Sequence, residues 1–145
     1  MPQIRKFIDI DALPERVFAK ATDPSLQPTW MTFLKEIEII SGDGKSAGTK
    51  DRSVMKLGPV PQSSEGEWIE YREPDAFARK MRGGLEMESR ISFNRTADGT
   101  HVEWQIRYKP PLGLIGIAGD VLFMNRLFQN YVEGSLELLK AQLEP

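Results

Sequence analysis

The stretch EMESRISFNRTADGTHVEWQIRYK, residues 86–109, decides the fold. In its second half Val102, Trp104, Ile106 and Tyr108 alternate with His101, Glu103, Gln105, Arg107 and Lys109, the period of two that a half-buried strand requires. Its first half does the same, with Met87, Ser89, Ile91 and Phe93 set against Glu86, Glu88, Arg90 and Asn94. Between the two runs, Ala97-Asp98-Gly99 supplies the chemistry of a tight reversal. Strands joined so closely are antiparallel neighbours with one core face and one wet face.

Toward the N-terminus the pattern repeats. Turn chemistry at SGDGKSAG (41–48), GPVPQ (58–62), EPD (73–75) and RGG (82–84) cuts the chain from Glu36 onward into strands of about 6 to 10 residues. Because parallel neighbours need crossovers of about a dozen residues, these short connections predict an antiparallel meander. Residues 3–10 predict another strand, with Ile4, Ile8 and Ile10 facing one way and Arg5 and Asp9 the other. LPERVFAKATD (13–23) predicts a short helix, since Pro14 suits a first helical position, Glu15 suits the positive helix end, and Val17, Phe18 and Ala21 form one stripe. A second short helix or turn pair is expected from Pro24 to about Leu34, broken by Pro28 and carrying Trp30, Phe33 and Leu34.

Beyond Pro110 and Pro111 the spacing predicts a helix from about Ile117 to Leu143, about 40 Å long at 1.5 Å per residue. Val121, Met124, Phe128, Val132, Ser135, Leu139 and Leu143 fall on one side of it, and Arg126, Gln129, Asn130, Glu133, Glu137, Lys140 and Glu144 on the other. Only the sheet is large enough to cover so long a stripe. The order β-αα-β6-α describes an α+β helix-grip fold, a curved antiparallel sheet of about seven strands wrapped around a long C-terminal helix, in one domain spanning 1–145.

Composition narrows the function. At 145 residues, 40% hydrophobic and 28% charged, the chain has neither the polar excess of a disordered protein nor the long apolar runs of a membrane one. Its 19 basic and 21 acidic residues are interspersed, which leaves no stripe for nucleic acid. With no cysteine and one histidine, disulfides, thiol chemistry and Cys/His zinc sites are excluded. The pairs Glu36/Glu38, Glu65/Glu67 and Glu86/Glu88 lie on solvent faces, and His101 lies on the polar side of its strand, so neither a metal nor a cofactor is expected. Gly113, Gly116 and Gly119 have GxxGxxG spacing among apolar residues and no parallel βαβ unit around them, unlike a dinucleotide loop. Met1 to Ile10 lacks a signal-peptide core, and Leu112 to Gly119 is too short to span a bilayer, so a cytoplasmic location is expected.

The element order has company in the motifs. LPERVFAKATD after the first strand, Trp30 in the second short helix, AGT at 47–49, EPDAFARKMRGG at 73–84 and GSLELLKAQLE at 134–144 together resemble the START/Bet v 1-like (SRPBCC) superfamily, most nearly its bacterial polyketide cyclase/dehydrase branch. The resemblance implies a cavity between sheet and long helix that in relatives takes lipids, sterols, aromatic polyketides, hormones or quinones. It also implies that an arginine and a tryptophan in the cavity orient a polyketide, for which Trp68 with Arg72 is similar in kind.

Physical reasoning permits such a cavity, because a curved sheet cannot touch a straight helix along its whole length. The expected partner is a small hydrophobic or aromatic molecule, a lipid, polyketide or quinone. Trp30, Trp68, Trp104 and Tyr108 offer broad faces, Met55, Met81, Met87 and Met124 adaptable thioethers, and Phe128 an anchor on the helix. Ser89, Asn125 and Ser135 are polar residues at inward positions. Arg79 shares a face with Phe77 and Met81, and Arg72 follows Trp68 by four residues. An inward guanidinium must meet a carboxylate, a carbonyl or a ligand oxygen.

Two other functions fit. One is a cofactor-free cyclase or dehydratase in which Arg72 or Arg79 and a tyrosine, Tyr71 or Tyr108, polarise a carbonyl, although no carboxylate is clearly inward. The other is a lipid or quinone chaperone or interaction protein, with Pro110, Pro111, Leu112, Leu114 and Ile115 gating the pocket and Leu122 or Phe123 touching a partner or membrane surface. Monomer and homodimer are both compatible with the sequence.

Overall fold

Strand β1 (Gln3–Ile10) leads into two short helices, α1 (Pro14–Thr22) and α2 (Gln27–Trp30), and then into β2 (Leu34–Ser41), β3 (Lys50–Leu57), β4 (Val60–Arg72), β5 (Ala76–Gly83), β6 (Glu86–Arg95) and β7 (Thr100–Lys109). Helix α3 (Val121–Leu143) follows. The computed structural model describes residues 1–110 and 121–144, the side chain of Val60 excepted. Residues 111–119 of the expected gating segment and the expected helix start at Ile117 lie outside the described residues.

The strands form one curved antiparallel sheet in the order β1-β7-β6-β5-β4-β3-β2. From β2 through β7 every chain neighbour is a sheet neighbour, as the short turns require, and β1 closes the series against β7 with Ile4 opposite Ile106 and Ile8 opposite Val102. Leu34, expected in the second helical segment, instead opens β2. The backbone is already extended at Met31, and Leu34 pairs with Met55 in the ladder.

Alternation carries a continuous core across the inner face: Ile4 and Ile10 from β1, Met55 and Leu57 from β3, Phe77 and Met81 from β5, Ile91 and Phe93 from β6, Trp104 and Tyr108 from β7. Helix α3 lays Met124, Phe128, Val132, Ser135, Leu136, Leu139 and Leu143 against this face. Val121, expected at the head of the stripe, is exposed, so the stripe begins a turn later. Among the described residues α3 packs along β1 and also touches α2 and α1. Large side chains extend the contact to the strand beside β1, where Phe128 meets Tyr108 of β7 at 4.9 Å between ring centres.

One irregularity matters for the site. In β4, Trp68 lies opposite Arg79, but a bulge follows, and Tyr71 then lies opposite Phe77 and Arg72 opposite Ala76. The extra residue reverses the parity of the strand beyond it.

Candidate functional site

Two groups of side chains occupy the inner face. The first is polar. Strand β3 places Asp51, Ser53, Met55 and Leu57 inward, and β5 does the same with Phe77, Arg79 and Met81. Arg79 donates from Nε to Asp51 Oδ2 at 2.9 Å and from Nη2 to Asp51 Oδ1 at 2.6 Å. The guanidinium side chain is 2% exposed and the carboxylate 0%. Trp68 Nε1 donates to Asp51 Oδ2 at 2.9 Å, so the buried carboxylate accepts from two residues at once. Three directed hydrogen bonds, two of them from a cation, offset the loss of hydration that burying these charges entails.

The partners come from strands that are not neighbours, since β4 runs between them. They meet above Gly66, which lies opposite Asp51 in the β3–β4 register. A Cβ at Gly66 would stand 2.7 Å from Asp51 Oδ1 and 2.9 Å from Arg79 Nη2, so the absence of a side chain makes the room for the ion pair. Tyr71 completes this end, stacked on Trp68 at 5.7 Å, and burial pushes its phenol above the ordinary tyrosine value.

The second group is aromatic. Trp104 lies between Trp30 at 5.5 Å and Phe33 at 5.9 Å, and Phe33 meets Phe128 edge-on at 5.3 Å. Trp104 Nε1 donates to Ser89 Oγ, and the Tyr108 hydroxyl donates to Asn125 Oδ1, both at 2.8 Å. Burial pushes the Tyr108 phenol up to about 12, which keeps it a neutral donor through the physiological range. Ser135 accepts from the Thr32 amide and donates to the Tyr131 carbonyl, tying α3 to the segment before β2. Met55, Met81, Met87 and Met124 are buried in the same core, with Met87 opposite both Met81 and Tyr108.

Of the residues expected to line a pocket, Trp30, Met55, Trp68, Arg79, Met81, Met87, Trp104, Tyr108, Met124 and Phe128 are buried, Ser89 and Asn125 are half-buried, and one needs correction. Arg72 lies outside: its side chain is 59% exposed and bonds Glu70 at 2.8 Å, because the bulge after Trp68 turns it to the outer face. The tryptophan–arginine association of the interior is Trp68 with Arg79, joined through Asp51. A second correction concerns the expectation that no carboxylate faces inward, since Asp51 does. Its signal was present in the sequence: Asp51 lies four residues before Met55, on the same face of one strand.

Not every polar atom at this core is served. Among the described residues, Trp30 Nε1, Ser53 Oγ and Gln27 Oε1 are buried without a hydrogen-bond partner. Each such group costs about 1 to 3 kcal/mol when left unpaired.

The outer face carries a groove of its own, about 580 Å³ and open to solvent, bordered by Arg5, Ile69, Glu70, Ala78, Arg90 and Arg107. Arg90 bonds Glu70 at 2.9 Å and holds that carboxyl below the ordinary glutamate value. The groove's exposure and largely paired charges leave little unmet demand there, so the inner face is the better candidate. Among the described residues no group of three or more His, Asp or Glu is placed to hold a metal ion, and no helix is long and apolar enough to cross a membrane. Leu122 and Phe123 are exposed on the first described turn of α3.

Comparison with known proteins bears on this architecture. A family model described as polyketide cyclase/dehydrase and lipid transport matches residues 1–144. The chain belongs to that family. No curated protein matches it. Among solved structures it is similar to a protein from Thermus thermophilus, TTHA0849, with 22% identity, a TM-score of 0.77, and coverage of 98% of this chain and 97% of that one. A START superfamily protein from Mycobacterium smegmatis has 15% identity and a TM-score of 0.76, covering 97% and 96%. Ara h 8.0201 has 14% identity and a TM-score of 0.70, covering 98% and 97%. These likenesses place the fold among the START and Bet v 1-like proteins.

Proposed function

We propose that this protein binds a small hydrophobic or aromatic molecule between the inner face of the sheet and α3. The observation that carries the reading is that, among the described residues, Trp30 Nε1 of α2 and Ser53 Oγ of β3 have no hydrogen-bond partner inside an aromatic-rich core. Native interiors leave few polar atoms unserved, and a bound molecule with a polar atom would serve one or both. Family membership and the helix-grip fold support the same reading. Because Trp30, Phe33, Trp104 and Phe128 are fully buried, a ligand reaching them requires side chains to give way, and the measured affinity is net of that cost.

The catalytic alternative draws less support from the geometry. With Arg72 on the outer face, Arg79 is the remaining candidate cation, and two of its nitrogens are committed to Asp51. Asp51 in turn accepts three hydrogen bonds from Arg79 and Trp68, two on Oδ2 and one on Oδ1, which leaves it a single lone pair with which to act as a general base.

Titration with Nile red, an uncharged fluorophore, tests the binding reading. Saturable one-to-one binding with a rise in melting temperature is expected. Failure of Nile red and of a panel of lipids, quinones and aromatic polyketides either to bind or to shift the melting temperature would overturn it.

A further inference from the structure

The charge arrangement of the inner face says what kind of molecule it accepts. Asp51 and Arg79 are the only charged residues fully buried among those described. The inward residues of α3 are all uncharged. Lys6, on the β1 edge, is only partly buried and is already paired with Glu133 at 2.7 Å. Among the described residues the interior therefore holds one cation and one anion in direct contact, and presents no net charge.

Resting on the binding reading above, we infer that the site selects an uncharged ligand bearing an acceptor oxygen, such as a ketone, quinone, phenol or long-chain alcohol, and rejects carboxylates and phosphates. An anionic head entering beside Arg79 meets Asp51 as well, and the attraction of one is offset by the repulsion of the other. If the anion took the guanidinium for itself, Asp51 would be left buried and unpaired, the costly state for a carboxylate. A neutral oxygen avoids both penalties. The acceptor oxygen follows separately: Trp30 Nε1, on the α2 side of the core, can only donate, and Ser53 Oγ can donate or accept, so a group that serves both contains an acceptor oxygen, and it is the ion pair that requires this oxygen to be neutral. Gly66 maintains the arrangement by letting the carboxylate and guanidinium meet across β4, without which Arg79 would be an uncompensated anion receptor.

Matched probes test this near neutral pH, where the acids are ionised and the alcohols are not: naphthol against naphthoate on an aromatic frame, and dodecanol against dodecanoate on an aliphatic one. Affinities are read by displacement of Nile red and by calorimetry. The neutral member is expected to bind at least about tenfold more tightly on the frame that fits. A carboxylate that binds as tightly as its neutral partner, or more tightly, overturns the inference while leaving the binding reading intact. Absence of any Nile red binding overturns both. In Asp51→Asn the Arg79 charge is no longer balanced, and the carboxylate should gain at least about tenfold relative to the alcohol. An unchanged ratio in a folded Asp51→Asn protein shows that the ion pair does not set the choice. Should that variant fail to fold, the wild-type comparison decides alone.

Discussion

The two ends of the inner face are held together by different physics. At the aromatic end, Trp30, Phe33, Trp104 and Phe128 interlock by area and shape, and the polar atoms of Trp104 and Tyr108 are each met by one neutral partner. At the polar end, Asp51, Arg79 and Trp68 form a unit in which each removal strands a charge or a donor. Dispersion and burial are divisible, so apolar volume at the first end can be lost in parts. A buried ion pair is not divisible in this way, and its members are best kept or replaced together.

The sharpest way to break the comparison is to remove one charge. Asp51→Ala is expected to cost about 3 to 5 kcal/mol in urea unfolding, whereas the double replacement Asp51→Leu with Arg79→Met recovers most of that loss. If the double variant is as unstable as the single one, the pair contributes through packing and the contrast fails. At the other end Phe128→Ala is expected to cost a similar 3 to 5 kcal/mol, roughly, but Phe128→Leu gives back much of it, because apolar volume is what that position supplies. Gly66→Ala leaves every charge in place and only crowds the junction. Unfolding curves should show a loss of about 1 to 3 kcal/mol, and the Trp68 fluorescence environment should change with it. Ser53→Ala removes an unserved hydroxyl, so the protein alone is expected to hold or gain up to about 1 kcal/mol in melting experiments while its ligand affinity falls. The smallest effect belongs to Arg72→Ala, within about 0.5 kcal/mol, since the side chain is exposed and its ion pair with Glu70 is solvated.

Much of this architecture was legible in the sequence. Period-two alternation gave β6 and β7, turn residues gave the meander, and the Met124–Phe128–Val132 spacing gave the face of α3 that meets the sheet. The candidate site was less legible, and the two arginines show why. Arg79 follows the parity of its strand and lies inside; Arg72 has the same nominal parity relative to Trp68 and lies outside, because one bulge intervenes. A bulge leaves little trace in local composition, so no count along the strand separates the two. Asp51 was missed for a different reason. Taken alone, a carboxylate belongs on the surface, and what reverses that preference is Arg79 and Trp68 arriving from β5 and β4, a pairing set by register across the sheet. Leu34 shows the same dependence on tertiary pairing, since its ladder partner Met55 makes it strand where the local sequence suited a helical turn.

Native mass spectrometry of freshly purified protein, before and after incubation with lipids, quinones and aromatic polyketides, followed by a denaturing run, tests the central claim most directly. Occupation of the inner face predicts a one-to-one complex of reproducible mass that denaturation releases, with an uncharged molecule as the species released. A chain that keeps its bare mass throughout, in the presence of every member of the panel, would contradict the account and leave the Arg79–Asp51 pair as a device of stability alone.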